Sequence, residues 1–205
     1  MSEAATATAA ERSARREELL DVGLRLFSTN AFDELSMDDV AAEAGIAKGL
    51  LYYYFGSKRG FYVAVVRAAA TQLRAQWDAD PSAPPDRRLR DGVDAYLAYA
   101  EERPEGYRAL MGGGVGTDPE VRAILDAERE QVIRRVDEAL GRAEPGPALR
   151  VALQGWLSFM EGATLEWLDG AELERAQLRD LLLAGLDGAL QAAASVDPTI
   201  PPRVP

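Results

Sequence analysis

Residues 44–59 constrain the fold of this chain more than any other stretch. They combine a glycine, a short aromatic run and three cations without a single acid. Just before them, apolar residues recur at spacings of three and four and predict a short buried helix over residues 36–44. Ser36 suits the N-terminal cap of that helix. Gly45 suits its end, because glycine adopts the left-handed conformation at no steric cost.

A second helix is predicted over residues 47–54. Leu51 and Phe55 share a face at a spacing of four and should anchor this helix to the core. Lys48 and the three tyrosines at 52–54 are left to the rest of its surface, where lysine and tyrosine side chains bind phosphate oxygens. Two short helices joined by about three to four residues form a helix-turn-helix, whose second helix enters the major groove of DNA. The stretch therefore predicts a DNA-reading element.

The same residues resemble a known family. Residues 45–58, Gly-Ile-Ala-Lys-Gly-Leu-Leu-Tyr-Tyr-Tyr-Phe-Gly-Ser-Lys, are similar to the signature of TetR/AcrR-type transcriptional regulators. Five upstream residues also fall where that signature expects them: Phe27, Phe32, Ser36, Val40 and Ala41. The resemblance implies DNA contacts from a set of residues in and around the second helix: Ser36, Lys48, Gly49, Leu50, Tyr52, Tyr53, Tyr54 and Lys58.

Three positions depart from the family pattern. Ala47 stands where a serine or threonine often caps the recognition helix, so that cap must come from elsewhere or be absent. Asn30 replaces the usual glycine after the first helix, which is tolerable because asparagine also visits the left-handed region. Gly56 stands where proline is common. Ala47, with Gly49 and Leu50, leaves few polar groups for reading bases.

The distribution of charge matters more than the net charge of −11. Residues 1–43 carry four basic and ten acidic side chains, residues 44–59 three basic and none acidic, and residues 60–205 carry 16 basic and 24 acidic. Nucleic-acid affinity depends on cations that neutralise phosphates, and the one acid-free window is the predicted DNA reader. Because the acidic body repels DNA in other orientations, we expect salt-sensitive binding with a modest non-specific component.

The absence of cysteine and histidine excludes several kinds of site. Disulfide frameworks, thiolate or imidazole metal sites and triads with a histidine base all need one of these residues. No cofactor is predicted, and the chain is not expected to be an enzyme. No apolar run reaches the roughly 18 residues of a membrane span, and the N-terminus lacks the basic-then-apolar order of a secretory signal. We therefore expect a cytoplasmic protein with no membrane partner.

Helical periodicity runs through the chain and predicts an all-α fold. Residues 1–10 lack apolar periodicity and are expected to form a disordered arm, followed by a three-helix helix-turn-helix domain over residues 11–57. A connecting helix is predicted over residues 58–80, ended by three closely spaced prolines. Residues 81–196 are predicted to form a helical bundle for ligand binding and dimerisation, and the proline-rich residues 197–205 a disordered tail.

Three arginines at the start of the first helix leave two interpretations open. Arg12, Arg15 and Arg16 could contact phosphates or the minor groove, as the N-terminal arms of related folds do. They could equally form a solvated face paired with the neighbouring glutamates.

The last two predicted helices are unusually apolar. Both carry glycines, at 155, 162, 185 and 188, which lower helix stability and are explained by the close approach of another backbone. Such a pair predicts a four-helix dimer interface. The apolar stripe of the first helix is Leu149, Leu153, Trp156, Met160, Ala163 and Trp167, and that of the second helix is Leu173, Leu178, Leu181, Leu182, Leu186, Ala189 and Leu190.

An aromatic set in the C-terminal part of the chain is the candidate ligand site. Such side chains can line a large cavity with a few polar groups, although for any one of them a plain core role is favoured. The candidates are Trp77, Tyr96, Tyr99, Tyr107, Met111, Trp156, Phe159, Met160 and Trp167.

These patterns together predict a homodimeric DNA-binding repressor that a small, largely apolar inducer releases from a palindromic operator. One alternative is a helical protein-interaction adaptor with a vestigial DNA-binding motif, against which the retained Lys48 and Lys58 argue. A more remote alternative is a carboxylate-based enzyme using Glu161 and Glu166. A ferritin-like site of that kind would require histidines.

Overall fold

A computed structural model describes residues 2–30, 34–77, 82–111, 118–140 and 146–201 of the protein. Over these residues the chain is helical and has no strand, which confirms the all-α prediction. The helices, in chain order, are α1 Ser2–Thr29, α2 Met37–Glu43, α3 Lys48–Phe55, α4 Lys58–Trp77, α5 Pro85–Glu102, α6 Pro104–Met111, α7 Pro119–Ala139, α8 Pro147–Leu168 and α9 Arg175–Val196.

The helices group into two compact units. Met1–Ala69 and Glu105–Val121 form the first, and Ala70–Pro104 and Arg122–Pro205 form the second. The units divide within α4, whereas the sequence predicts a boundary at the prolines near residue 81. α6 belongs to the first unit although it follows those prolines. A proline ends a helix, but it does not decide which helices share a core.

The first unit has an aromatic core between α1, α3 and α4. The Phe27 ring lies 5.1 Å from the Tyr62 ring, edge to face, and the Phe55 and Phe61 rings are 4.9 Å apart. Leu51 is completely buried. Edge-to-face aromatic pairs add to the free energy of simple burial. This core fixes α3 against the longer helices and leaves its other faces outside.

The second unit is built around α9, against which both α5 and α8 pack. Four leucines of α9, at a spacing of four, are almost completely buried: Leu178, Leu182, Leu186 and Leu190. The buried face of α8 carries Leu153, Leu157 and Trp156. The Trp156 indole Nε1 donates to the Leu182 carbonyl at 2.9 Å, which links the two helices. This hydrogen bond satisfies the one polar group of a buried side chain.

Both ends of the chain differ from the predicted disorder. The first helix begins at Ser2, so residues 2–10 are helical turns and not an arm. Their alanines are the strongest helix formers and favour this structure without an apolar stripe. At the other end, Asp197 accepts from the Thr199 backbone, and the Ile200 side chain is 2% exposed. Burial of that isoleucine holds residues 197–201 in place, and residues 202–205 lie outside the described part.

Several apolar positions face differently from the prediction. Leu173 precedes α9 and is 41% exposed, and Leu181 is 48% exposed. In α7, Ile124 and Ile133 are buried, as are Val121 and Val136, whereas the apolar neighbours Leu125 and Val132 are only half-buried. An apolar pattern of three and four leaves the exact rotation of a helix open to such one-residue shifts.

The C-terminus of α1 is capped differently from the prediction. No non-glycine residue of the described chain has a positive φ, so Asn30 does not adopt the left-handed conformation. Its side-chain amide instead donates to the Leu26 carbonyl at 2.9 Å. This satisfies one of the carbonyl groups that a helix leaves unpaired at its C-terminus.

The described residues contain no helix that is both long enough and apolar enough to cross a membrane.

Candidate nucleic-acid interface

The interface begins with α2 and its cap. The Ser36 hydroxyl accepts from the Asp39 backbone N–H at 3.1 Å, and the Ser36 backbone N–H donates to the Asp39 carboxylate at 2.8 Å. This reciprocal capping box fixes the start of the helix. The same hydroxyl donates to Asp39 at 2.7 Å, and these hydrogen bonds hold the pKa of the Asp39 carboxyl below its usual value. Ser36, a predicted DNA contact, is thus first of all the cap of α2.

The turn between α2 and α3 has the predicted geometry. Gly45 has a φ of 62°, in the left-handed region. The Ile46 backbone N–H then donates to the Ala41 carbonyl at 3.0 Å, across the end of α2. This is the reach-back pattern that follows a left-handed glycine. The turn sets the direction in which α3 leaves α2.

The first turn of α3 has no side-chain cap. Ala47 is extended and makes no such hydrogen bond, so of the two possibilities that the sequence left open, the cap is absent. Gly49 is exposed, and no residue that the structure describes would touch a Cβ added there. The N-terminal end of α3 therefore offers backbone and open space, with Leu50 half-buried behind it.

The tyrosines of α3 divide by exposure. Tyr53 is 68% exposed and Tyr52 is 41% exposed, whereas Tyr54 is half-buried between ring neighbours. The Tyr54 ring lies 5.3 Å from the Tyr53 ring and 6.2 Å from the Phe55 ring. The rings of Tyr52 and Tyr53 are thus exposed on the outer surface of α3, and the half-buried Tyr54 ring packs against that of Tyr53.

The cations around α3 have partners that the sequence did not indicate. The Lys48 ammonium lies 2.7 Å from the Asp38 carboxylate, and this hydrogen bond raises the pKa of Lys48. Arg59 makes a two-point contact with Asp118, at 2.5 and 2.8 Å. Lys58 is half-buried at the start of α4. Part of the charge of the acid-free window is therefore matched by acids from elsewhere in the chain.

Asp118 has two structural roles in the same unit. It caps α7, accepting from the Glu120 and Val121 backbone N–H groups at 2.9 and 3.4 Å. Its ion pair with Arg59, together with these bonds, lowers its pKa to about 2. The Asp-Pro-Glu sequence of residues 118–120 is typical of a helix start, but it gives no sign of the Arg59 partner. Only the packing of α4 against the start of α7 brings the two side chains together.

The arginines of α1 do not act as one group. Arg15 pairs with Glu18 at 2.5 Å, as the solvated-face interpretation expects. The Arg16 guanidinium lies 5.3 Å from the centre of the Phe55 ring. A cation over an aromatic face is attracted by the ring quadrupole. Arg16 thus connects α1 to the end of α3, which neither interpretation of the sequence anticipated.

The candidate ligand residues are spread over both units. Tyr107 and Met111 belong to the first unit and the remaining candidates to the second. Tyr96, Trp156 and Met160 are buried, while Phe159 is 42% exposed. Burial raises the pKa of the Tyr99 phenol, and the Arg103 guanidinium lies 4.5 Å above its ring.

The contacts of two tryptophans favour the packing role that the sequence left open. Trp156 bonds to the Leu182 carbonyl, and the Trp167 indole donates to the Leu173 carbonyl at 2.7 Å. The side chain of Trp77 lies outside the described part of the chain. A ligand role for the aromatic set stays a prediction.

Glu161, one of the two carboxylates of the enzyme alternative, forms an ion pair. Both its oxygens accept from Arg129 at 2.8 Å.

A surface cleft of about 340 Å³ lies beside this pair, and none of the aromatic candidates lines it. Its lining is mostly charged: Asp126, Arg129, Glu130, Arg150, Val151 and Gln154. Among the described residues no cluster of three or more acids could hold a metal.

A capped short helix, a left-handed glycine turn and a second helix with an exposed aromatic and cationic surface define a helix-turn-helix protein. Comparisons with known proteins agree. Residues 19–65 match the family described as bacterial regulatory proteins, tetR family, and residues 85–186 match the tetracyclin repressor-like C-terminal domain.

Whole-chain relatives extend both matches. An uncharacterised HTH-type transcriptional regulator of Mycobacterium tuberculosis is 30% identical, over 89% of this chain and 82% of the relative. The crystal structure of a TetR-family transcriptional regulator from Streptomyces coelicolor, also 30% identical, superposes with a TM-score of 0.83 over 91% of this chain and 84% of that one. The HTH-type transcriptional activator FasR of Mycolicibacterium smegmatis is 29% identical over 64% of this chain, and the match spans 61% of FasR.

The chain belongs to the TetR family of transcriptional regulators. It is a DNA-binding regulator and not an enzyme, since the members of this family regulate transcription. TetR-family regulators bind operator DNA, act as dimers and bind small-molecule ligands. The adaptor and enzyme alternatives therefore give way to the regulator.

Proposed function

We propose that the protein is a homodimeric repressor that binds a palindromic operator through α3 and is released from it by a small, largely apolar inducer. The observation that carries the proposal is the surface of α3, where Tyr52, Tyr53 and Lys48 are exposed around a helix anchored by the buried Leu51. Tyrosine hydroxyls and lysines are suited to phosphate oxygens, and the open N-terminal end of α3 is suited to base edges.

The proposed DNA contacts are of two kinds. Lys48, Tyr52, Tyr53 and Lys58 bind phosphates, and Gly49 and Leu50 let the backbone approach the bases. Ser36 contributes chiefly by fixing α2, since its hydroxyl is engaged with Asp39. Tyr54 acts from behind, through the ring of Tyr53. Few side chains of α3 can read bases, so specificity depends strongly on the spacing of two half-sites and on DNA shape.

The proposed dimer forms through the outer faces of α8 and α9. Val151 and Val196 are 74% and 76% exposed, and Leu181 and Phe159 are also outside. Beside them, no residue of the described part of the chain would touch a Cβ added at Gly155, Gly162 or Gly188. Exposed apolar side chains next to bare helix backbone are suited to the close packing of helices from a second copy.

The inducer is proposed to bind within the second unit, beside the buried face of α5. Tyr96 and Tyr99 lie one turn apart on this helix, and each combines an apolar ring with a polar end. In a dimer, the two α3 helices must lie roughly 34 to 36 Å apart, one turn of DNA, to reach both half-sites. A ligand that binds more tightly to a dimer with a different α3 separation therefore lowers the affinity for DNA.

Gel retardation with the DNA upstream of the protein's own coding region tests this function. We expect a complex that weakens as salt rises and that a random duplex of equal length competes poorly. Transcription from that DNA in vitro then separates repression from activation. Absence of a sequence-preferring complex at low salt would contradict the proposal.

The inducer has a separate test. A compound that releases the DNA must bind the DNA complex more weakly than the free dimer, by the same factor, because coupling between two sites is reciprocal. Calorimetric titration of the free protein and of the complex measures the two affinities. Equal affinities would show that the compound is not an inducer.

A further inference from the structure

One carboxylate stands beside the DNA-reading helix. Asp38, on the first turn of α2, is 69% exposed, and its Oδ2 lies 2.7 Å from Nζ of Lys48. Lys48 is the first residue of α3 and is itself 45% exposed. Ten residues separate the two in sequence, and the turn at Gly45 brings them together. The acid-free window of the sequence thus acquires an acid through the fold.

Stability does not explain this ion pair well. Exposed pairs between flexible side chains contribute little to folding free energy and are screened by salt. The start of α2 is already secured by Ser36 and Asp39 through the capping box. A second acid there adds only a small interaction with the helix dipole. What the pair does change is the state of Lys48 before DNA arrives.

We propose that Asp38 is a built-in competitor for the DNA phosphate at Lys48. The carboxylate occupies the ammonium in the free protein, and a phosphate must displace it. The released carboxylate then faces the phosphates and takes up a cation from solution. Asp38 therefore lowers affinity for all DNA and reduces the net release of ions that drives binding. A regulator with a weakened non-specific component dwells less on competing genomic sites.

This inference rests on the proposed contact between Lys48 and a phosphate, and a double-mutant cycle separates the two. The variants are Asp38→Asn, Lys48→Met and the double replacement, each measured by fluorescence anisotropy on the upstream duplex and on a random duplex. The matched control is Glu43→Gln, which removes one acid from the exposed end of the same helix. Melting temperatures check that every variant folds.

We expect Asp38→Asn to tighten binding to both duplexes about two- to fivefold at 50 mM salt, the range for an exposed ion pair. The plot of log affinity against log salt should become steeper, by up to about one. Both effects should be smaller in the Lys48→Met background and smaller for Glu43→Gln. Such a result means that Asp38 acts through Lys48 and not through its charge alone.

Three results would overturn the inference. An equal gain with and without Lys48 means general repulsion, and a gain matched by Glu43→Gln means the same. Weaker binding by Asp38→Asn means that the carboxylate positions Lys48 for the DNA. If Lys48→Met binds as tightly as the wild type, the proposed phosphate contact itself is wrong, whatever Asp38 does.

Discussion

Two helices with exposed hydrophobic side chains, α3 and α9, present very different surfaces. Each is anchored by a narrow buried ridge, Leu51 in α3 and four leucines in α9. Outside that ridge, α3 exposes tyrosine hydroxyls and a lysine, whereas α9 exposes Leu181, Val196 and the bare backbone of Gly188.

The difference points to different partners. Rings that end in hydroxyls, next to a cation, are suited to a charged and hydrated partner such as DNA. An aliphatic face with glycines is suited to another helix, because it can be desolvated completely. Exposure of apolar area alone does not distinguish α3 from α9. The two helices differ in the polar groups that border this area.

The largest expected effect is on the fold of the second unit. Replacing Trp156 by alanine removes a 3% exposed side chain and the indole hydrogen bond from Nε1 to the Leu182 carbonyl. We expect a loss of about 3 to 5 kcal/mol in the free energy of unfolding, as for other buried aromatic side chains. Urea denaturation followed by circular dichroism measures it.

The same variant tests the ligand interpretation of Trp156. If Trp156→Ala keeps wild-type stability and binds DNA but ignores the inducer, Trp156 lines a cavity and the packing interpretation is wrong.

The next largest expected effect is on the proposed dimer interface at α9. Gly188→Arg should produce folded monomers, since Gly188 is exposed and no described residue lies within 4 Å of a Cβ built there. A monomer has only one α3 helix to bind DNA, so its affinity for an operator with two half-sites should fall by about a hundredfold or more. Sedimentation velocity and anisotropy measure the two quantities.

Gly188→Ala serves as the matched control and should remain dimeric. Gly185 is a poorer site for this test, because a Cβ there would lie 2.8 Å from the Phe159 ring within the same chain. A dimer that survives Gly188→Arg would move the interface away from this face.

A smaller effect sharpens the assignment of α3 and the start of α4 to DNA. Lys58→Ala should weaken binding to all sequences alike and make the salt dependence shallower by about one, because one phosphate contact is lost. Anisotropy at several salt concentrations measures both. An unchanged slope and affinity would remove Lys58 from the interface. The sedimentation behaviour should not change in either case.

The smallest effect concerns acid stability of the first unit. The pKa of Asp118 is lowered from 3.8 to about 2 by Arg59, so the ionised form is favoured in the folded state. Its contribution is complete above about pH 5 and is lost as the pH falls through 4 towards 2. Asp118→Asn keeps a capping side chain but removes the charge. The variant should be less stable than the wild type at pH 7, with the difference vanishing near pH 2.

Hydrogen exchange of α3 amides follows this change in the first unit. Fluorescence follows the second unit separately, since all three tryptophans lie in its residues. A stability difference that persists unchanged at pH 2 would mean that the ion pair is not its source.

Local patterns were sufficient for the two helices and the turn of the helix-turn-helix, but not for residues 2–10, which are helical instead of forming the expected arm. The Ser36 cap and the Gly45 turn depend on neighbours within a few residues, and both are confirmed. The spacing of Leu51 and Phe55 predicted the inner face of α3, and Leu51 is buried there. The absence of a side-chain cap on α3 could also be anticipated from Ala47.

Only the tertiary structure decided which distant groups meet. Asp38 with Lys48, Arg59 with Asp118, Arg16 with the Phe55 ring and Trp156 with the Leu182 carbonyl are pairs set by helix packing. A periodicity of three and four fixes that a helix has an apolar face. The rotation and neighbours of that face depend on side chains far away in the sequence. For this reason the sequence identified the regulator and its reading helix, whereas the partners of its cations emerged only in the folded chain.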